Sequence, residues 1–294
     1  MLKWILIVGL ALVAILSFVF LQGSLPMGPS SDPAESGQSE QQAEQSNESS
    51  PSDSSDQSAA QPAEPSQQAR DIMRQARQAQ GGLDALQNLS GYHVQASSMA
   101  QQRGQTFSLE TETWIEMPNR FRQNTTVDIQ GQTINSLTVW DGQQGWVRQQ
   151  GQVQQLQGNQ VGSIRQSLYL DPLHVLLYTT QEGFTYAYQG TETVDGTEAH
   201  AMQVQTPQGQ SVTFHFDTEN FLPIQRTRSA QGSTVRTVFR DYQRVDGYAF
   251  AFTQRTFLND SLAQEQNVED IVINPSFDPQ LFQEPQTDSQ QSNQ

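Results

Sequence analysis

The sequence contains no cysteine and a single lysine, Lys3. Without cysteine there is no disulfide framework, no thiol catalysis and no cysteine metal site, and no N-terminal cysteine for a lipid to modify. Fifteen basic residues face 31 acidic ones, for a net charge of −16. Such a balance excludes a nucleic-acid partner, which needs a basic face to displace counterions from phosphates. A lysine-poor surface rich in acids and glutamine suits a salty environment, where screening weakens self-repulsion. The G-x-S-x-G elbow, the P-loop and the G-x-G-x-x-G fingerprint are all missing. The histidines, His93, His174, His200 and His215, are scattered without the close pair that metal sites usually show. They are expected to be structural. Glu110, Glu112 and Glu116 share one strand face, which reads as a wetted sheet surface before it reads as a catalytic carboxylate pair. The expectation is a protein that is not an enzyme and carries neither cofactor nor metal.

Long apolar runs are equally scarce. The one example, residues 4–21, is 18 residues without a charge, preceded by Lys3. At about 1.5 Å per residue it nearly spans a hydrocarbon core of about 30 Å. A cleaved signal peptide is the rival reading, but its apolar part is usually about 7–15 residues and ends in a small-x-small site, for which Leu21-Gln22-Gly23-Ser24 is a poor match. Residues 1–22 are therefore expected to anchor the chain in the inner membrane, with Lys3 inside and the remainder outside. Residues 23–66 are dominated by Ser, Gln, Glu, Pro and Ala, and between Ser24 and Ser66 carry eight acids and no base. A segment of this kind buries too little to offset its ordering entropy, and is expected to be a disordered tether reaching roughly 35 Å. The tail, 286–294, reads the same way.

What remains is a folded region, 67–285. A helix is expected from near Ser66, with Ala69, Ile72, Met73, Ala76 and Ala79 at helical spacing and Gly81-Gly82 as its stop. The stretch 107–147 alternates at period two: Phe107, Leu109, Thr111, Thr113, Ile115 and Met117 on one face, Trp114 with the glutamates on the other. Turn signals at Pro118-Asn119, Gln130-Gly131 and Asp141-Gly142 divide it into an antiparallel meander. Residues 163–178 read as a helical hairpin or a helix broken at Pro172. Alternation resumes at Phe184-Tyr186-Tyr188, Met202-Val204, Val212-Phe214-Phe216, Val235-Phe239, Tyr248-Phe250-Phe252 and Val268-Ile273, giving about ten strands in all. The stretch from Asn274 to Phe282 reads as a terminal loop.

Pro118, Arg120 and Arg122, followed about twenty residues on by Asp141, Gly142 and Trp146, resemble a run found in the periplasmic lipoprotein-carrier (LolA-like) superfamily. That superfamily includes the lipoprotein carrier and receptor of Gram-negative bacteria, related acyl-lipid carriers and the ligand-binding part of an envelope-stress regulator. The resemblance extends in element order over nearly all of 67–285. It implies a mainly β (α+β) fold: a large curved antiparallel sheet forming an incomplete barrel, covered by an N-terminal helix and a helical insert, around an apolar cavity for acyl chains. One departure stands out. The carrier has an arginine before the strand-ending proline, tying sheet to lid, whereas this chain has Met117. The carrier's release switch therefore does not transfer.

A sheet of about ten strands has more inner surface than two short helical pieces can fill, so a cavity is expected. The candidates to line it are Trp114, Val139, Leu173, Leu176, Phe184, Tyr186, Phe214, Phe216, Phe250 and Phe252, with plain core packing the alternative for each. Six arginines between Arg226 and Arg255 form either a solvated face or a dock for anionic headgroups or an acidic partner. The leading expectation is a membrane-anchored binding protein of the bacterial cell envelope, its folded domain in the periplasm, sheltering the acyl chains of a lipid or lipoprotein for sorting or transport. The alternative is a sensor or interaction module of the same fold, regulating a stress response through an envelope protein partner.

Overall fold

The computed structural model describes residues 64–287, apart from 103, 130, 182 and 231. The expected membrane anchor and almost all of the expected tether and tail lie outside the described residues. Among the described residues, no helix is long and apolar enough to cross a membrane.

The described residues open with helix α1 (Gln67–Gln80), started by the Ser66 hydroxyl, which accepts from the Ala69 amide at 3.1 Å. Its apolar stripe, Ala69, Ile72, Met73 and Ala76, is buried. Gly81 and Gly82, at φ of +133° and +97°, end it as the sequence predicts. A single turn, α2 (Leu83–Gln87), leads into the sheet. Six strands follow: β1 (Gly91–Gln102), β2 (Gln105–Glu116), β3 (Arg120–Ile129), β4 (Gln132–Trp140), β5 (Gly145–Gln149) and β6 (Gln152–Gln155). The helical insert is α3 (Gly158–Tyr169) and α4 (Pro172–Tyr178). Pro172 occupies the first turn of α4, where its missing N–H costs nothing, and Asp171 caps the helix. Proline thus starts the second helix as well as separating it from the first.

Seven more strands complete the chain: β7 (Thr185–Val194), β8 (Thr197–Gln205), β9 (Ser211–Asp217), β10 (Pro223–Ala230), β11 (Ser233–Val245), β12 (Tyr248–Leu258) and β13 (Ser261–Ile273). All thirteen form one antiparallel sheet in the order β6-β5-β4-β3-β2-β1-β13-β12-β11-β10-β9-β8-β7. The last strand pairs with the first, so the two runs of strands join at β1–β13, with Tyr92 opposite Ile273. The edges β6 and β7 are not paired to each other, and the segment joining them carries α3 and α4. The result is an open barrel whose lid is the connection between its two edges. Register shifts at Gln95/Ala96, Tyr188/Gly190, Pro223/Gln225 and Thr256/Phe257 mark bulges of the kind that bend a long sheet.

Three strands exceed the sequence expectation: β1, β6 and β10. None carries a sustained run of large apolar side chains at alternate positions. All four helices of the described residues contribute to one apolar cluster with one face of the sheet, including Met73, Leu86, Ile164, Leu176, Phe214 and Phe216. This is the concave face. The segment after β13 is not a loose loop. Asn274 accepts from the Ser90 amide and hydroxyl at 2.8 and 3.0 Å, and Phe282 is buried in a short 3-10 turn (Pro279–Phe282). Gly91 is required where this segment crosses: a Cβ there would sit 2.2 Å from the Ile115 carbonyl oxygen and 2.7 Å from the Phe277 ring.

Candidate functional site

The concave face divides into a packed part and an unfilled part. On β8 and β9, Met202, Val204, Val212, Phe214 and Phe216 have lost almost all exposure, and Leu176 of α4 and Ile164 of α3 belong to the same cluster. Beside them Phe184, just before β7, stacks on Tyr178 at 5.8 Å and meets Tyr169 edge-on at 5.3 Å, while Tyr186 is half-buried against the cluster. Across the face, at β12, β13, β1 and β2, a cavity of about 170 Å³ remains between sheet and lid. Val94, Ile115, Leu173, Phe250, Val268 and Ile271 supply its apolar wall. Gln80, Tyr92, Thr113, Asp171, Gln254 and Gln266 supply its polar wall.

Hydrogen bonds from half-buried arginines hold the lid over this space. Arg77 of α1 donates to the Leu176 carbonyl oxygen at 2.8 Å and to the Thr179 hydroxyl at 3.0 Å, tying α1 to the end of α4. Arg226, projecting inward from β10, donates to the Leu170 carbonyl oxygen between α3 and α4 and to the Thr237 hydroxyl. Its guanidinium lies 5.8 Å from the Phe239 ring centre. Burial, and then the neighbouring Arg228 charge, lower this guanidinium to about 10, against the opposing pull of Asp171. It is charged at neutral pH. The Asp171 carboxylate accepts from the amides of Leu173 and His174 at 2.9 and 3.4 Å. Burial first, and the Asp171 charge second, push the hydroxyls of Tyr92 and Tyr242 well above their ordinary range. Tyr178 donates to the Pro118 carbonyl oxygen, joining the lid to the turn between β2 and β3.

Of the ten residues expected to line a cavity, eight lie on or against the concave cluster. Leu173 and Phe250 line the cavity; Leu176, Phe214 and Phe216 are in the packed part, and Phe184, Tyr186 and Phe252 are half-buried beside it. The other two are corrected. Trp114 and Val139 stand on the opposite face, because side chains alternate along β2 and β4 and their neighbours Ile115 and Trp140 take the inward positions. Trp114 stacks on His93 at 4.9 Å with the Arg122 guanidinium 5.4 Å from its centre. Val139 packs with Leu137, Trp146 and Val153.

The motif residues also gather away from the concavity. Asp141 accepts from the amides of Gln143 and Gln144 at 2.7 and 2.6 Å, shaping the β4–β5 turn. Gly142, at φ +102°, packs so closely on Asn119 that a Cβ would lie 2.8 Å from its side-chain oxygen. Pro118 and Gly142 therefore stand at turns that meet. Arg120 pairs with Glu116 at 2.9 Å on the surface. Arg122 donates to the Leu281 carbonyl oxygen at 2.9 Å and so holds the C-terminal segment against the outer face of β3. These residues build one end of the sheet.

Among the described residues, no group of three or more His, Asp or Glu side chains is placed to hold a metal. His93 bonds Glu112 and His215 bonds Glu192, at 3.1 and 2.9 Å. His174 is buried in the lid, and His200 lies between Tyr188 and Phe221. The arginine-rich stretch splits between the faces and mostly finds partners: Arg240 pairs with Asp195, Arg255 with Glu265, and Arg236 stacks over Phe257. Sequence reading missed the interior polar set of Gln80, Tyr92, Asp171 and Arg226. Only Asp171, before Pro172, carried a local signal, and it was that of a helix cap.

No protein-family model matches the chain, and no curated protein matches it. Solved structures do. A DUF1329 family protein from Desulfovibrio piger aligns with a TM-score of 0.51 at 12% identity, over 73% of this chain and 97% of that one. A LolA superfamily protein from Nitrosomonas europaea aligns with a TM-score of 0.51 at 10% identity, over the same shares of each. The chain has the LolA-like open-barrel fold. At these identities the likeness extends to the fold alone.

Proposed function

We propose that this protein is a membrane-tethered, envelope-facing binding protein that shelters acyl chains of a lipid or lipoprotein between its concave sheet and its helical lid. The observation that carries the reading is the unfilled space over β12, β13 and β1. Val94, Phe250 and Val268 there are left half-buried under the lid, although Met202, Val204, Val212, Phe214 and Phe216 on β8 and β9 are fully covered. Covering an acyl chain stabilises by about 0.8 kcal/mol per CH₂, or roughly 12 kcal/mol for sixteen carbons, so a lipid does not cross water unsheltered. The cavity of about 170 Å³ is below the roughly 300–1,000 Å³ of a small-molecule pocket, so a whole chain requires the lid to shift. The tether and anchor rest on the apolar run 4–21 and the acidic stretch 23–66, and set the protein to work close to the membrane that holds it. It sorts or hands on its cargo and performs no chemistry on it.

The full chain, transferred from detergent into an amphipathic polymer, tests this directly. Mass spectrometry of its solvent extract should show co-purifying acyl lipid, and the stripped protein should bind a fluorescent fatty acid saturably above the empty-polymer control. Absence of both leaves the interaction module, with an envelope protein as its partner, as the function of this fold.

A further inference from the structure

Most arginines of the stretch from Arg226 to Arg255 are accounted for, and one is not. Arg240 and Arg255 meet carboxylates, and Arg236 lies over Phe257. Arg226 and Arg228 are two residues apart on β10, so their side chains take the same face. That face is the concave one, because Arg226 stands opposite Phe214 of β9 and Thr237 of β11. Arg226 donates to the Leu170 carbonyl oxygen and to Thr237. Among the described residues, Arg228 makes no hydrogen bond and no ion pair, although it is half-buried. Burial lowers its guanidinium below the ordinary range, and no carboxylate offsets this, whereas Asp171 does so for Arg226. Drawing a guanidinium with five donors out of water is unfavourable unless an anion meets it. The chain has 31 acids to choose from, yet Glu192 and Glu265 of the same sheet pair outward, with His215 and Arg255.

We propose that Arg228, with Arg226 behind it, is an anion subsite of the concave face that takes the carboxylate or phosphate head of the acyl ligand. The inference rests on the acyl-binding reading and adds to it the charge of the lipid. Position supports it. Phe239 and Gln254, opposite each other on β11 and β12, both line the cavity. One step along the same face stand Thr237 and Thr256, their hydroxyls 3.4 Å apart, and Thr237 accepts from Arg226. Arg228 is the next inward position of β10. The cavity wall thus runs on through a row of hydroxyls to two guanidiniums, the order of an amphiphile read from tail to head. The Arg228 nitrogens are not sealed off from solvent, so a ligand can reach them. Asp171 acts on Arg226 more weakly than Arg228 does and has no part in the balance at Arg228, so an anion there meets attraction. Half-burial strengthens that attraction over its value in water, and the planar guanidinium fork suits carboxylate and phosphate alike.

The test compares three amphiphiles of equal chain length, palmitate, 1-palmitoylglycerol 3-phosphate and neutral 1-monopalmitoylglycerol. Each displaces a fluorescent monoacylglycerol from the stripped full chain at pH 8. At least one anion should bind tenfold or more tightly than the neutral lipid, and which one does so tells a carboxylate head from a phosphate. Arg228→Gln should bring that ratio to within about threefold of one while leaving the neutral lipid within about twofold of its parent affinity. Arg228→Lys, which keeps the charge, should retain a preference for the anion, and Arg255→Gln, on the outer face, should retain all of it. Neutral and anionic lipids binding alike to the parent chain, or a preference that survives Arg228→Gln, would overturn the subsite and leave acyl binding standing. If no amphiphile binds the parent chain, the acyl-binding reading fails first, and the subsite with it.

Discussion

The wing of the sheet formed by β8 and β9 and the wall formed by β12, β13 and β1 bear the same helices and end up differently. On the wing, five large side chains, Met202, Val204, Val212, Phe214 and Phe216, are 0–2% exposed. On the wall, Val94, Phe250, Phe252 and Val268 are only half-buried, and glutamines and a tyrosine share their face. Interiors are packed about as densely as organic crystals, so a region that stops short of that under a lid has been left for a different use. The wing holds the fold together, and on the proposed reading the wall receives the ligand.

Substitutions that break the comparison should therefore have unequal effects. Phe214→Ala, in the wing, should destabilise by about 3–5 kcal/mol, measured by denaturant unfolding of the full chain. Phe250→Ala, on the wall, should cost less than half of that and weaken fatty-acid binding, because part of its surroundings belongs to the ligand. Equal losses at the two positions would erase the distinction. Next in size is the clasp. Arg226→Met leaves the Leu170 carbonyl without its donor and should cost about 1–3 kcal/mol, with faster amide exchange localised to 168–178. Asp171→Ala should cost about 0.5–2 kcal/mol, whereas Asp171→Asn, which still caps α4, should be close to neutral.

A pH effect is the smallest. Burial lowers the pKa of His200 below its ordinary value, and its Nδ1 makes no hydrogen bond. The unfolded chain then takes up the proton first as pH falls. This contribution is flat above the unfolded value of about 6.5 and turns destabilising below it. His200→Phe should shrink the loss of Tm between pH 7 and pH 5 relative to the parent chain, and an unchanged loss would remove His200 from the account.

How legible each region was follows from its chemistry. The wing announced itself, since Val212, Phe214 and Phe216 alternate with polar residues at period two. The meander at 107–147 did the same, with its turns at Pro118-Asn119 and Asp141-Gly142. The strands that escaped notice carry few large apolar side chains at their inward positions. β1 has Tyr92 and Val94 at its start but then only Ala96, Ser98 and Ala100; β6 is largely glutamine; β10 points Arg226 inward. An inward-pointing arginine breaks the pattern that marks a strand, and here it is also what clasps the lid. Val139 was misplaced because apolar character alone does not say which face a side chain takes, whereas Trp114 falls with the glutamates by alternation and only its size argued for an inward place. The C-terminal segment, bound through Arg122 and buried at Phe282, lends the outer face a small apolar cover that only three-dimensional contact reveals. The cavity's polar wall was invisible for the same reason: Gln80, Tyr92 and Asp171 are far apart in sequence and become a site only when α1, β1 and α4 converge.

The central claim is that an acyl chain lies against the wall under the lid. Photo-crosslinking the full chain with a diazirine-bearing palmitate, followed by peptide mapping, tests it most directly. The account predicts saturable labelling concentrated on β12 (Tyr248–Leu258), β1 (Gly91–Gln102) and the Leu173 end of α4, and competed away by unlabelled lipid. Labelling spread over the outer face around Trp114 and Trp146, or labelling that unlabelled lipid does not displace, would contradict it.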